Sequence, residues 1–191
     1  MTRTISAIFI AVVVCSPSAK ASSIFVGYEF GQMAFNNFRH FAGEIGYNLP
    51  SNASVRFAFL NVALSERHLS SSESSAVDGE NVEGLWRGGE LIFDYPLYEN
   101  VYLSSSAGFY DSKYSHTILG ESVRQRSPTV GLILSYKGDG VFKIPGTYWR
   151  FSVSYRHYFN PIPETLLGES RVSGDSGEIT PIIFLGYRFD R

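Results

Sequence analysis

Apolar residues recur at every second position in eight separate stretches of this 191-residue chain, and that alternation limits its fold more than any other feature. A period of two places successive side chains on opposite faces of an extended strand, whereas a helix needs a period of about 3.6. In the first stretch Ile24, Val26, Tyr28 and Phe30 share one face, with Phe25, Gly27, Glu29 and Gly31 on the other. Later, Val130, Leu132 and Leu134 oppose Thr129, Gly131 and Ser135, and Trp149, Phe151, Val153 and Tyr155 oppose Arg150, Ser152, Ser154 and Arg156. The pattern predicts strands over 23–35, 38–49, 54–65, 85–97, 100–114, 125–137, 148–160 and 178–190. Each is long for a soluble strand and suits a tilted crossing of a membrane.

Which face turns inward is a question of volume. Eight strands close around an interior that side chains just fill, so eight strips of Phe, Tyr, Leu and Trp would overfill it. Turned outward, those strips meet lipid, and the Gly, Ala, Ser and charged residues fill the lumen. The expected fold is therefore all-β: an eight-stranded antiparallel up-and-down transmembrane β-barrel. The connections fit it, because short turns at 50–53 and 99–100 alternate with long polar loops at 66–84 and 161–177 and a middling one at 115–124. Two connections fit less well. Asn36-Asn37 makes the first outer loop very short, and 138–147 is long for an inner turn.

Residues 1–21 read as a cleaved secretion signal. Arg3 precedes the apolar run Ile5 to Val14, Pro17 breaks it, and Ala19-Lys20-Ala21 offers small residues for cleavage. The only cysteine, Cys15, leaves with it, so residues 22–191 are expected to hold no disulfide and no thiolate metal site. Without Arg3 and Lys20 the 16 basic residues fall to 14 against 18 acidic, a balance that excludes a nucleic-acid partner. No cofactor is expected. His40, His68, His116 and His157 show no metal-ligand spacing.

Strict alternation turns eight charges into the lumen: Glu29, Glu44, Glu90 and Asp94, with Arg56, Arg150, Arg156 and Arg188. In a narrow barrel they are expected to pair, since an isolated buried charge is costly. The expectation is a salt-bridge network that plugs the barrel; the alternative is an ion or proton path.

The recurring Val26-Gly27-Tyr28, Ile45-Gly46-Tyr47, Ala107-Gly108-Phe109 and Leu185-Gly186-Tyr187 resemble the small outer-membrane barrels of the OmpX and OmpA type. The closing Ile183, Leu185, Tyr187 and Phe189 resemble the C-terminal strand that outer-membrane insertion machinery recognises, here followed by Asp190-Arg191. The resemblance implies the bacterial outer membrane as location, but no activity. Locally, Arg156-His157-Tyr158-Phe159-Asn160 resembles a segment of the lipid A 3-O-deacylases. That resemblance would make His157 the catalytic base and Glu178 its acid partner, but Phe159 stands where the nucleophilic serine belongs and cannot attack an ester.

Three functions follow. The leading one is a non-enzymatic outer-membrane barrel surrounded by lipid, including lipopolysaccharide, with an extracellular ligand or envelope partner met through loops 66–84 and 161–177. The second is a lipid A deacylase-like esterase with a degenerate site at His157 and Glu178. The third is a soluble periplasmic barrel carrying an apolar ligand.

Overall fold

A computed structural model describes residues 22–31, 40–64, 77–174 and 176–190. Eight long strands close into a barrel: β1 (Ser23–Glu29), β2 (His40–Asn48), β3 (Ser54–Leu64), β5 (Val82–Tyr98), β6 (Val101–His116), β7 (Ser122–Asp139), β8 (Thr147–Tyr158) and β11 (Gly177–Asp190). Each pairs antiparallel with the barrel strands before and after it, and β1 pairs with β11 to close the ring. Closure satisfies the backbone groups around the lower wall, whereas higher up the Ser122–Pro128 part of β7 pairs with β6 alone. One end carries Ser23, Asp190 and the short turns and is called lower here; the other carries the longer connections.

Around the middle of the wall the large residues face outward. Phe57, Leu91, Leu132 and Phe151 expose between 43 and 59 % of their surface, while Ser104, Ser152 and Ser154 on the opposite face expose 1 %. The lumen also takes Phe25, Tyr110, Tyr148 and Phe184, all buried. Rings of that size fit because glycines stand beside them. A side chain at Gly46 would run into the Phe25 ring, and one at Gly88 would meet Tyr110 at 2.5 Å.

Toward the upper end the polarity reverses. β5, β6 and β7 rise above the apolar belt, and there Val82, Tyr114, Trp86 and Val123 point inward. Arg87, Asp111, Lys113, Arg124 and Arg126 stand on their outward face. The inward apolar residues are covered by a small sheet, β4 (Val77–Asp78), β10 (Ser170–Val172) and β9 (Thr165–Leu167), with β10 central. Val77, Ile162, Leu167 and Val172 pack with Val62, Val82 and Tyr114 in one buried cluster. Ser170 donates to the Glu80 carbonyl at 2.6 Å, and the Gly168 N–H donates to Glu121 Oε2 at 3.0 Å. Three upper connections are thus tied into one folded crown.

Several sequence expectations are corrected here. The segment expected at 85–97 begins at Val82, and that at 125–137 runs from Ser122 to Asp139. The loop at 115–124 shrinks to 117–121, because β6 continues to His116. Above the belt the outward residues are polar, so the apolar-out alternation stops before the strand does. Residues 77–84 and 162–172, expected as solvated loop, carry strands because Val77, Ile162, Leu167 and Val172 bury their side chains together. The lower connection 138–147 narrows to 140–146, a turn containing a 3-10 segment at Val141–Lys143 and a left-handed Gly140 with φ of 76°. The secretion signal, Asn36-Asn37 and the serine-rich stretch 70–75 lie outside the described residues.

Candidate functional site: a charge-filled lumen under the crown

The lumen charges form two layers. In the lower layer Arg56 donates from Nη1 to Glu44 Oε2 at 2.9 Å and from Nε to Asp94 Oδ2 at 3.0 Å. Arg150 reaches the same Glu44 oxygen at 3.1 Å and Asp94 at 3.4 Å. The remaining acceptors are also used: Ser54 and Ser104 donate to Asp94 at 2.7 and 2.6 Å, and the Tyr148 hydroxyl donates to Glu44 Oε1 at 2.7 Å. β2, β3, β5, β6 and β8 all contribute, so the network ties the wall across the lumen.

The upper layer centres on Arg156, which donates to Glu90 and stands 3.8 Å from Glu178. The Tyr110 hydroxyl donates to Glu90 at 2.8 Å, and those of Tyr158 and Thr180 donate to Glu178 at 2.7 Å. The Arg156 guanidinium also lies 4.7 Å from the centre of the Tyr110 ring, close enough for a cation–π contact. Glu29 is buried on β1, with an oxygen 3.5 Å from the Ile183 N–H. Glu44, Arg56, Glu90, Asp94 and Arg150 each expose 2 % of their surface. Buried charges held this way resist loss of a partner, at about 3–5 kcal/mol per broken pair.

Arg188 stands apart from both layers. It bonds Asp139 at 2.6 Å at the lower mouth, beside half-open solvent. Lys137 enters the lumen near that mouth and was not singled out from sequence. Its Nζ lies 4.8 Å above the Phe25 ring, 5.1 Å from the Tyr148 ring and 3.5 Å from Asn48 Oδ1. Tyr110, Tyr148 and Tyr158 were likewise missed as partners of the acids. Alternation alone placed them inward, but bulky phenols run against the small-residue expectation for a lumen.

His157 and Glu178 do not come together. His157 sits on the outward side of β8, in register with Val130 and Gly177, its ring edge-on to Phe159 at 5.1 Å. Glu178 points inward to Tyr158 and Arg156. Ser152 and Ser154 are buried on the inner face, so neither offers a hydroxyl to His157. Among the described residues no hydroxyl is hydrogen-bonded to His157, the contact that a serine-type hydrolase needs.

Above the belt a second charged group faces outward. Arg87, Asp111 and Arg126 lie in one row across β5, β6 and β7, with Leu85, Lys113 and Arg124 in the row above. Arg124 forks onto the Asp111 carboxylate, Arg126 approaches it at 3.4 Å, and Arg87 donates to Asn61 Oδ1 at 3.1 Å. The Arg124 hydrogen bonds hold the Asp111 carboxyl below the usual carboxylate range. Among the described residues Lys113 has no hydrogen-bond or ion-pair partner.

No family model matches the chain, and no curated protein does. Two solved structures resemble it in shape. The N-terminal β-barrel domain of Pseudomonas aeruginosa OprF is 13 % identical, with a TM-score of 0.41 over 88 % of this chain and 97 % of that one. Ail, the attachment invasion locus protein of Yersinia pestis, is 18 % identical, with the same TM-score and coverage. Both likenesses are too distant to carry a function to this chain.

Proposed function

We propose that this chain is a non-enzymatic integral protein of a bacterial outer membrane, its wall surrounded by lipid and its crown turned to the outside. The observation that carries this reading is the outward belt. On β5, β6 and β7 it runs from Leu97 to Gly89, from Leu103 to Phe109 and from Tyr136 to Pro128, and its outward set holds no charge and, besides the phenols of Tyr95 and Tyr136 near its lower rim, the single hydroxyl of Ser105. A soluble protein rarely exposes an apolar patch beyond a few hundred Å². A belt of this kind on every strand, around a polar interior, is what a lipid-embedded barrel requires.

The charged layers and the crown fill the barrel from within, which supports a sealed structural body rather than a conducting pore or a carrier of apolar ligands. The crown supplies the surface for an envelope or extracellular partner. Its exposed face carries Leu166, Ile118 and Leu119 beside Arg171, Glu164 and Asp78. Lipopolysaccharide would be its neighbour in the outer leaflet.

Cell fractionation tests the reading. The protein should sediment with outer membranes, require detergent for release, and migrate faster on SDS gels before boiling than after. A freely soluble product would refute it. The esterase reading is tested on lipid A from producing cells, which should keep its 3-O-linked acyl chain by mass spectrometry. Loss of that chain, reversed by His157→Ala, would establish an enzyme instead.

A further inference from the structure

Given an outer-membrane barrel, on which this assignment rests, we propose that the outward grid on β5–β7 binds the phosphates of an outer-leaflet glycolipid, the diphosphorylated lipid A headgroup. Arg87, Lys113, Arg124 and Arg126 supply four cations, and Asp111 is the one acid within the two rows; Glu83 lies in the next row up. The side chains of Arg124 and Arg126 remain 53 and 61 % exposed although both touch Asp111. Each intramolecular bond therefore leaves donor capacity facing outward, as a planar guanidinium with five N–H groups allows.

Position selects the ligand. The lower row follows directly on Gly89, Phe109 and Pro128, the top of the apolar belt on the same three strands. A group there stands at headgroup depth, with acyl chains lying along the belt beneath it. On the adjoining strands, among the described residues, the outward positions that continue the rows of Leu132 and Val130 are Tyr155, His157, Gly177 and Ile179, none of them a lysine or arginine. Among the described residues the four cations of the grid stand together on β5–β7. Neighbouring strands lie about 4.8 Å apart, so three strands present cations across about 10 Å. A disaccharide bearing a phosphate at each end can engage both flanks of such a grid. A single phospholipid phosphate engages one corner of it.

Asp111 fits this role as a positioning residue. It holds two arginines side by side on β7, leaving Lys113 and Arg87 to approach the ligand from the neighbouring strands.

The test uses the full-length mature chain in detergent micelles, read by native mass spectrometry. Probes are diphosphorylated lipid A, its dephosphorylated form, phosphatidylglycerol and inorganic phosphate. The wild-type chain should retain diphosphorylated lipid A at least tenfold more tightly than either other lipid. Each cation near an anionic lipid contributes enough that Arg87→Gln with Lys113→Gln should weaken that binding by roughly tenfold or more. Both residues lie off the lumen network, so the double variant should keep heat-modifiable migration. Equal binding by the variant, equal binding of the dephosphorylated lipid or of phosphatidylglycerol, or full competition by inorganic phosphate would each overturn the assignment. Failure of the outer-membrane reading would look different: the wild-type chain would lack heat-modifiable migration before any lipid was added.

Discussion

The belt and the crown are built by the same strands with the same alternation, yet their polarity is opposite. On β7, Leu132 and Leu134 point out and Thr129, Ser135 and Gly131 point in; a few residues higher, Arg124 and Arg126 point out and Val123 points in. The backbone has not changed and neither has the register. On the proposed membrane setting, what changes is the medium outside the wall. Where it is apolar, large side chains leave the lumen and charges remain inside, forced to pair. Where it is water, the ordinary rule returns and a small hydrophobic core forms inside the upper rim. The boundary, between Pro128 and Arg126, marks the expected height of the membrane surface.

Breaking the lower lumen layer should have the largest effect. Glu44 accepts from Arg56, Arg150 and Tyr148, so Glu44→Ala leaves two buried guanidinium groups short of a partner. Its unfolding free energy, measured by denaturant titration in lipid, should fall by about 3–5 kcal/mol. A loss below about 1 kcal/mol would mean that the layer is hydrated and the lumen open.

Next comes the belt. Leu132→Arg near its middle should cost about 2–4 kcal/mol, whereas Lys113→Leu above it should stay within about 1 kcal/mol, because the penalty on a lipid face fades toward the interface. Equal costs at the two heights would erase the contrast between belt and crown. Within the crown, Leu167→Ala removes a fully packed side chain from a local cluster. The effect should stay local: trypsin should cut after Arg171 in the variant far faster than in the wild type, while heat-modifiable migration persists. The smallest effect belongs to Arg171 itself. Its ion pairs with Asp78 at 3.5 Å and Glu164 at 3.6 Å are exposed, so Arg171→Ala should alter stability by less than about 1 kcal/mol.

The belt is readable in sequence because every second residue along it is apolar, as in Trp149, Phe151, Val153 and Tyr155. The crown is not, for two reasons. Its wall strands lose the apolar-out pattern at Arg87 and Arg126, and its added strands β4, β9 and β10 are two or three residues long. No periodicity can be established over such lengths; only burial against Val82 and Tyr114 defines them. The lumen falls between these cases. Alternation places Glu44, Arg56 and Asp94 on one face, but their partnership depends on the stagger between strands, which sequence does not contain. Tyr148 illustrates the limit: a phenol reads as belt material, yet Gly186 beside it leaves room for its ring inside the lumen.

On the proposed reading the wall meets lipid up to Pro128 and water above it. Single cysteines at Leu91, Leu132, Phe151, Lys113 and Arg124 test this boundary, in a chain whose only other cysteine, Cys15, falls in the expected signal. Each would carry a nitroxide label in outer-membrane vesicles, with collision rates measured against oxygen and a water-soluble nickel chelate. Positions 91, 132 and 151 should collide with oxygen and be hidden from nickel, and positions 113 and 124 should show the reverse. Nickel access at position 132 equal to that at position 113 would show that the belt does not lie in lipid.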